Sequence, residues 1–361
     1  MVFRAHRSVP LAGRAAAALV WLYLTGAGAQ DGVPPIAGVD VYGSTAPDAA
    51  AILAKLEPDV RRFVAAEMLR GSADAAPSQA AESEIDAKIR EAFGMRTPLA
   101  YAELSPVTNF TPTQVVYVTI DLVEQQDAPR RMPFRSAPTE RFDDPDGLLA
   151  AWREYEERVL ALLRSGVQLP VVLAECPALH CLAPFDRSDL KPYLARFDDG
   201  ARANADELYA IAERSADDEQ RAAAMFLLAH TRDAGRLLPV LGRAVFDPAS
   251  GVRNNAMRVM WFMAATHPEL DFPIHDVIAA MDFPSSSDRN KAALVVAMLA
   301  GRSKYRDVIH AEAAPIALRL LRLEQPNNHD PAYRILVAVS GEHFGERDYA
   351  AWQRWAAERG G

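Results

Sequence analysis

Alternating apolar and polar residues predict three short strands in the first third of the chain. Residues 39–42 (VDVY) alternate and end at Gly43, and residues 99–104 alternate more weakly. Residues 114–124 (QVVYVTIDLVE) carry the strongest strand pattern, rich in β-branched and aromatic residues. A turn that contains Asn109, Thr111 and Pro112 is expected between the last two strands.

Between the first and second strands, the apolar period changes to that of helices. Apolar residues recur at helical spacing over residues 51–64, and Pro58 inside this pattern predicts either one kinked helix or two helices. Residues 78–93 predict a further helix that Gly94 closes. The order of one strand, two helices and two strands predicts a small α+β domain over residues 30–128.

Residues 129–185 are expected to form a connector that holds one helix and a cysteine loop. Four prolines lie in residues 129–145, and Asp143 or Asp144 is expected to cap a helix that begins at Pro145. The apolar stripe of this helix contains Trp152 and Tyr155, which predicts packing in a core.

Three segments of the C-terminal half repeat one pattern: RAAAMFLLA from Arg221, RNNAMRVMW from Arg253 and RNKAALVVA from Arg289. Each has arginine first, alanine fourth, and an apolar pair at positions seven and eight. The starts are 32 and 36 residues apart, the period of a two-helix solenoid unit. The fold class expected is therefore mainly α, with a C-terminal α-solenoid over residues 186–361 that follows the small α+β domain.

An aspartate comes before each of these arginines: Asp217 and Asp218, Asp247, and Asp288. We expect the aspartate to cap the second helix of its unit and the arginine to bridge towards a neighbouring unit. Two roles are open for the repeated polar residues, a ladder between units or contact with a partner: Arg221, Arg253, Asn254, Asn255 and Arg289. Trp352 and Trp355 predict a terminal helix that caps the last unit or, if exposed, an interaction site.

Charge excludes two classes of partner. The chain of 361 residues has 39 basic and 48 acidic residues, a formal net charge of -9. If residues 1–29 are removed, Arg4, Arg7 and Arg14 are lost and the balance becomes 36 to 48, or -12. Phosphate contacts need clustered positive charge, so a nucleic-acid binder is not expected. Docking on an anionic membrane surface is excluded on the same ground.

Residues 1–29 predict a secretory signal peptide. A basic start precedes the apolar run of residues 15–24 (AAAALVWLYL), and Ala27-Gly28-Ala29 has the small-x-small pattern of a cleavage site before Gln30. The alternative is an uncleaved anchor, but a membrane span needs about 20 apolar residues. No later run has this length, so no integral membrane segment is expected after cleavage. The predicted location is periplasmic or secreted.

Export into an oxidising compartment affects the interpretation of the two cysteines. Cys176 and Cys181 lie in ECPALHC, and a disulfide between them is the simplest prediction. The alternatives are free thiols, or a zinc site in which His180 adds an imidazole to two thiolates. The spacing is not one of the usual zinc patterns.

The repeats resemble the HEAT repeat family. The resemblance rests on Asp247-Pro248 followed by residues 251–256 (GVRNNA), with shorter echoes at residues 218–224 and 288–292. It covers about residues 190–336, and it implies a right-handed superhelical scaffold that binds other proteins along a concave surface. The long loop at residues 271–287 and a degenerate last copy depart from the family pattern.

The element order over residues 30–128 looks like that of a POTRA-type module, a small periplasmic domain. The resemblance lies in element order and compartment alone. It implies an exposed strand edge that pairs with another polypeptide, because an open edge presents unpaired backbone groups. The alternative is that the edge is covered and the domain packs against the rest of the chain.

The search for catalytic motifs finds no G-x-S-x-G, H-E-x-x-H, P-loop or G-x-G-x-x-G pattern. We therefore expect no enzyme activity and no cofactor. The predicted function is that of an exported, non-catalytic scaffold or adaptor that binds a protein or peptide partner through the solenoid groove. The alternatives are a self-associating structural envelope component, and an enzyme or metal site around Cys176, His180 and Cys181.

Overall fold

The computed structural model describes residues 34–71, 79–109, 114–165, 167, 176–182 and 187–359. The predicted signal peptide, residues 1–29, lies outside these residues. The fold is mainly helical, with a small three-stranded sheet in the N-terminal region. None of the helices in the described ranges combines the length and the apolar composition that a membrane crossing demands.

The N-terminal region builds the sheet and two helices that cover one of its faces. Its elements are β1 (Ile36–Tyr42), α1 (Ala49–Gly71), α2 (Gln79–Gly94), β2 (Leu99–Asn109) and β3 (Val115–Glu124). The strand order is β1-β3-β2, with β1 parallel and β2 antiparallel to β3. Pro58 lies inside α1, so the pattern that allowed two helices forms one.

Alternate residues of the central strand β3 face opposite sides of the sheet. Val116, Val118, Ile120 and Leu122 pack into a core with apolar residues of α1 and α2. Thr119 and Asp121, at the intervening positions, are also fully buried, although both are polar. The sheet is therefore covered on both faces. The second face, which we call the polar face, combines Thr119 and Asp121 with the apolar Val123.

A connector leads from the sheet to the remaining helices. It holds α3 (Ala128–Arg131), a 3-10 turn (Pro145–Gly147) and α4 (Leu148–Arg164). Asp144 begins α4, because its carboxylate accepts the backbone N–H groups of Leu149 and Ala150 at 2.8 and 2.9 Å.

The helices that follow the connector form what we call the helical array. They are α5 (Lys191–Ala203), α6 (Ala205–Arg214), α7 (Asp218–Ala229), α8 (Ala234–Ala244), α9 (Ser250–Thr266), α10 (Ile274–Ala280), α11 (Ser286–Leu299), α12 (Arg306–Val308), α13 (Ala314–Leu320), α14 (Pro326–Ser340) and α15 (Tyr349–Arg359). A π-helical turn, Ile309–Ala313, joins α12 to α13.

Four helices of the array pack side by side in chain order: α7 against α9, α9 against α11, and α11 against α14. We call these four helices the central row. Helices α8, α10 and α13 each pack against the row helix that follows them in the chain. Helices α7, α9 and α11 are buried around most of their circumference, which is the pattern of helices inside a core.

The last helix, α15, buries both of its tryptophans. Trp352 contacts the rings of Tyr333 and Phe344, and Trp355 contacts the ring of His310. Both indoles belong to the core of the array. The geometry is that of a helix covering apolar surface, and it leaves neither tryptophan available as an exposed interaction site.

Candidate functional site

Two buried arginines bridge neighbouring helices of the central row. Arg221 of α7 donates from Nε and Nη2 to the two carboxylate oxygens of Asp247, at 2.9 and 2.8 Å. Arg253 of α9 donates from the same two nitrogens to Oδ2 of Asp288, at 2.9 and 2.7 Å. Both pairs are buried. We call each of these buried arginine–aspartate pairs a rung of the ladder. Each rung joins one helix of the row to residues at the start of the next row helix.

The aspartates that precede the arginines differ in their roles. Asp217 caps α7, since its carboxylate accepts the backbone N–H groups of Glu219 and Gln220. The side chain of Ser285, not that of Asp288, caps α11. Capping was expected at each of these positions, but Asp288 lies inside its helix and binds arginine.

The two asparagines after Arg253 also bridge helices. Asn254 is fully buried and donates from Nδ2 to Oδ1 of Asp288 at 2.6 Å. Asn255 donates to the backbone oxygen of Ala222 in α7 at 3.0 Å. Arg253 and Asn254 are thus both buried and both bonded to Asp288 of the next row helix.

The third repeated arginine, Arg289 of α11, reaches out of the array. Its Nη2 donates to Oδ1 of Asp121 on β3 at 2.7 Å, and both side chains are fully buried. Its Nε donates to Oδ1 of Asn328 in α14 at 3.2 Å. The other oxygen of Asp121 accepts from the hydroxyl of Ser105 on β2 at 2.6 Å. The carboxylate of this rung therefore comes from the N-terminal sheet.

A second polar contact joins the sheet to the array at Asp282, in the loop before α11. The hydroxyl of Tyr42 at the end of β1 donates to Oδ1 of Asp282 at 2.5 Å. The guanidinium groups of Arg130 and Arg319 both contact Oδ2. Arg131 is buried over the Tyr42 ring and donates from Nε to the backbone oxygen of Asp282 at 2.8 Å.

A third contact lies at the start of α14. Oδ2 of Asp40, on β1, accepts the backbone N–H groups of Glu324 and Gln325 at 2.9 and 3.1 Å. The three contacts lie on the polar face of the sheet, because Asp40, Tyr42 and Asp121 all point away from the helices α1 and α2. We call this region the junction, defined by these three residues with Asp282 and Arg289.

Burial dominates the ionisation of the carboxylates on the sheet. It raises the pKa of Asp121 to about 6, although Arg289 and Ser105 both favour the charged form. Burial also raises the pKa of Asp40, opposed by the N–H groups of Glu324 and Gln325. Placing these groups in the junction therefore costs free energy of desolvation.

The opposite holds for Asp282 on the array. Burial acts to raise its pKa, but Arg319 and Arg131 outweigh burial and hold the pKa below its usual value. Burial and the charge of Asp282 together raise the pKa of Tyr42 to about 12, so the phenol stays a hydrogen-bond donor. The junction thus pairs a charged carboxylate of the array with a neutral donor of the sheet.

The cysteine loop is closed and anchored on the array. The sulfur atoms of Cys176 and Cys181 are bonded at 2.02 Å. The backbone N–H of Leu179 donates to the backbone oxygen of Ala229, the last residue of α7, at 3.1 Å. A bonded pair of sulfurs leaves no thiolate for zinc, which removes the metal site considered around His180.

His180 lies in an aromatic environment. Its ring is 4.8 Å from the ring of Phe226 in α7 and 5.2 Å from that of Phe262 in α9. Burial lowers its pKa to about 3, and the neighbouring His230 and Arg258 act in the same direction. The imidazole is therefore a neutral packing group.

One face of the central row is covered at one end and open at the other. We call it the front face and define it by the ninth and thirteenth positions, counted from the first residue of each helix: Phe226 and His230, Arg258 and Phe262, Leu294 and Met298, Arg334 and Ala338. The first two pairs are buried, Met298 is 38% exposed, and Arg334 is exposed.

Other segments of the chain cover the buried end of the front face. Trp152 of α4 stacks on Phe226 with ring centroids 4.8 Å apart, and His180 lies against both Phe226 and Phe262. The connector therefore covers the front face over α7 and α9, and in the described residues the exposed part of this face lies over α11 and α14.

The described residues lack a cluster of side chains that could hold a metal ion. Among them, no three His, Cys, Asp or Glu side chains converge as metal ligands would. Two surface depressions, of about 340 and 320 Å³, are lined by residues around Met95 and around Tyr193 respectively. Neither contains a residue that the sequence analysis proposed for a metal site, the repeat ladder or partner binding.

The junction residues other than Arg289 were missed at the sequence level. One signal was present: Asp121 is the charged residue in the middle of the most apolar strand of the chain. A carboxylate at such a position needs a buried partner, because an unpaired buried charge is costly. The sequence did not indicate which cation would supply it.

No protein-family model matches the chain, and no curated protein or solved structure is similar enough to count as a match. Function is therefore inferred from the geometry of the chain itself.

Proposed function

We propose that this protein is an exported, non-catalytic scaffold that holds a protein or peptide partner on a HEAT-like solenoid. The repeated arginines, the side-by-side row of helices and the covering helix α15 support a solenoid, because each unit buries its faces against its neighbours. The disulfide supports an oxidising compartment.

The observation that carries the proposal is the open end of the front face. Leu294 and Met298 of α11 are partly exposed at positions whose equivalents in α7 and α9 are buried under the connector. Met298 is one of two large apolar side chains that are exposed in the described residues. Methionine adapts to varied apolar partners, so this surface suits an apolar side chain of a bound peptide.

The partner surface is narrower than the one expected from the repeats. The buried ladder residues do not contact it, and the connector fills the first half of the groove. A partner on α11 and α14 would meet Leu294, Met298 and Ala338, with the exposed Arg334 at the ninth position of α14. Such a surface binds through a small apolar centre and a charged rim.

Photo-crosslinking in intact cells tests this proposal. A crosslinking amino acid is placed at Met298, and in a matched control at Arg243, whose side chain is 51% exposed on α8. We expect a discrete adduct from position 298 and none from position 243, and we expect Met298→Glu to abolish co-purification of the captured protein.

Three other outcomes would oppose this function. Equal capture at both positions would mean that the front face is not the binding surface. An adduct with a second copy of the chain would favour the self-associating component instead. Reproducible absence of any adduct would leave the open front face without a partner and contradict the scaffold.

A further inference from the structure

The last rung of the ladder lacks an acid of its own. Arg221 and Arg253 are neutralised by Asp247 and Asp288, which belong to the array. The residue of α14 that contacts Arg289 is Asn328, which occupies the third position of its helix as Asp288 does in α11. Asparagine accepts a hydrogen bond but leaves the guanidinium charge uncompensated.

The last helix of the row, like α9, begins without a capping bond from the side chain of its own N-cap residue. Helices α7 and α11 begin with side-chain caps from Asp217 and Ser285. Helix α14 begins after Gln325, whose side chain makes no capping bond. The carboxylate of Asp40 on β1 accepts instead the N–H groups of Glu324 and Gln325, the two residues that directly precede α14.

Both carboxylates are supplied by one face of the sheet. Asp40 lies on β1 and Asp121 on the adjacent β3, where Tyr42 of β1 pairs in register with Asp121. In the described residues, Tyr42 is the only strand residue that joins the apolar core of the array. The sheet is thus held to the array mainly by charge and hydrogen bonds, as in separable domain interfaces.

We propose that the N-terminal sheet is a detachable latch on the array, and that Asp121 and Asp40 dock it by completing the last rung and by binding the two backbone N–H groups that precede the last row helix. Releasing the latch returns Asp40, Asp121 and Arg289 to water and withdraws Tyr42 from the apolar core of the array. The sheet and its two helices keep a separate core, so both parts stay folded when the latch opens.

Two substitutions separate the neutralisation of Arg289 from the docking of the sheet on the array. Asp121→Asn removes one of the two carboxylates of the latch and leaves Arg289 with hydrogen bonds but no acidic partner. Asn328→Asp places the missing acid inside the array, at the atom that already accepts from Arg289. The amide of Gln325 can turn its Nε2, which has no hydrogen-bond partner, towards the new carboxylate.

The test measures amide exchange at Glu324 and Gln325, whose N–H groups are bonded only when the latch is docked, together with the unfolding temperature of the full chain. We expect Asp121→Asn to raise exchange at these amides at least about tenfold, with exchange in α9 unchanged. The double variant Asp121→Asn/Asn328→Asp should recover the unfolding temperature while exchange at Glu324 and Gln325 stays high.

A matched control is Glu124→Gln. Glu124 is also buried on β3, but it bonds to Thr45 within the N-terminal region. This variant should leave exchange at Glu324 and Gln325 unchanged. The latch is wrong if Asp121→Asn leaves those amides protected, or if the added acid restores their protection together with stability. If Asp121→Asn alone does not fold, failure of the double variant to fold would equally overturn the proposal.

Discussion

Arg289 and Asp121 form a fully buried ion pair of 2.7 Å although they lie 168 positions apart in the chain. The arginine belongs to the repeated pattern of the array, and the aspartate belongs to the central strand of the N-terminal sheet. A buried pair of this kind contributes little net stability, because desolvation offsets most of the attraction. We expect it to contribute specificity instead, because the loss of either partner leaves a buried charge without compensation.

This ion pair fixes how the N-terminal sheet is placed relative to the helical array, because each part supplies one of the two charges. While the junction is closed, the sheet and the array keep one orientation relative to each other. If the chain acts as the proposed scaffold, a partner bound on the front face of α11 and α14 is held at a defined angle to the sheet.

The ladder predicts a large difference between buried and exposed ion pairs. Asp247→Ala leaves the buried Arg221 without its carboxylate and should cost about 3–5 kcal/mol of unfolding free energy. Glu213→Ala removes the partner of Arg243 on the surface of α8 and should cost at most about 1 kcal/mol. Urea denaturation of both variants measures the two losses. Equal losses would mean that the buried rungs do not hold the row together.

We expect the buried His180 to make the folded protein less stable as the pH falls. Its pKa is about 3 in the folded protein and about 6.5 in an unfolded chain, so the unfolded state binds the proton more tightly. The contribution of the neutral His180 to the unfolding free energy is fully present above pH 6.5. It is lost as the pH falls towards 3, at up to about 1.4 kcal/mol per pH unit. His180→Phe keeps an aromatic ring against Phe226 and Phe262 and should flatten this decline.

The control for this prediction is the exposed His343, whose replacement by Gln should leave the decline unchanged. Unfolding free energy measured between pH 7 and pH 5 decides the matter. A slope that His180→Phe does not reduce would place the acid-sensitive group elsewhere.

The cysteine loop predicts a modest dependence on reductant. The disulfide joins two residues that are 5 positions apart in the sequence and restricts the unfolded chain. Its loss should therefore lower the unfolding free energy by about 2 kcal/mol. Dithiothreitol should lower the urea midpoint of the natural chain and leave that of Cys176→Ser/Cys181→Ser unchanged. A change in the double variant would show that the reductant acts on something other than this bond.

The general fold could be predicted from the sequence because the spacing of apolar residues within each element indicates whether that element is a helix or a strand. The mainly helical class and the small N-terminal sheet follow from apolar spacings within single elements, and the structure confirms both. Arg221 and Arg253 could be singled out because their repeated positions carry the same neighbours. Their partners Asp247 and Asp288 lie within 26 and 35 positions, inside the repeat length.

The junction was not accessible, because it depends on tertiary placement. Whether Asp121 faces the helices α1 and α2 or the opposite side depends on strand register, where a shift of one residue exchanges the two faces. Filling of the front face by Trp152 and His180 is likewise a packing outcome. A stripe on α4 predicts burial, but it does not indicate against which helix.

The covering helix α15 predicts that its tryptophans stabilise the array rather than bind a partner. Trp352 is fully buried, packs edge-to-face against Phe344 and Tyr333, and donates from Nε1 to the backbone oxygen of Gly345 at 3.1 Å. Trp352→Ala should therefore cost about 3–5 kcal/mol of unfolding free energy, from lost burial and the cavity left behind.

Gln353→Ala, at the exposed neighbouring position, is the matched control and should change the unfolding free energy by less than about 0.5 kcal/mol. Partner capture through position 298 is then compared at a temperature where both variants are folded. If Trp352 acts only as a cap, folded Trp352→Ala captures as much partner as Gln353→Ala. A large loss of capture without loss of stability would instead make α15 part of the binding surface, because the indole could then affect the partner only by contact.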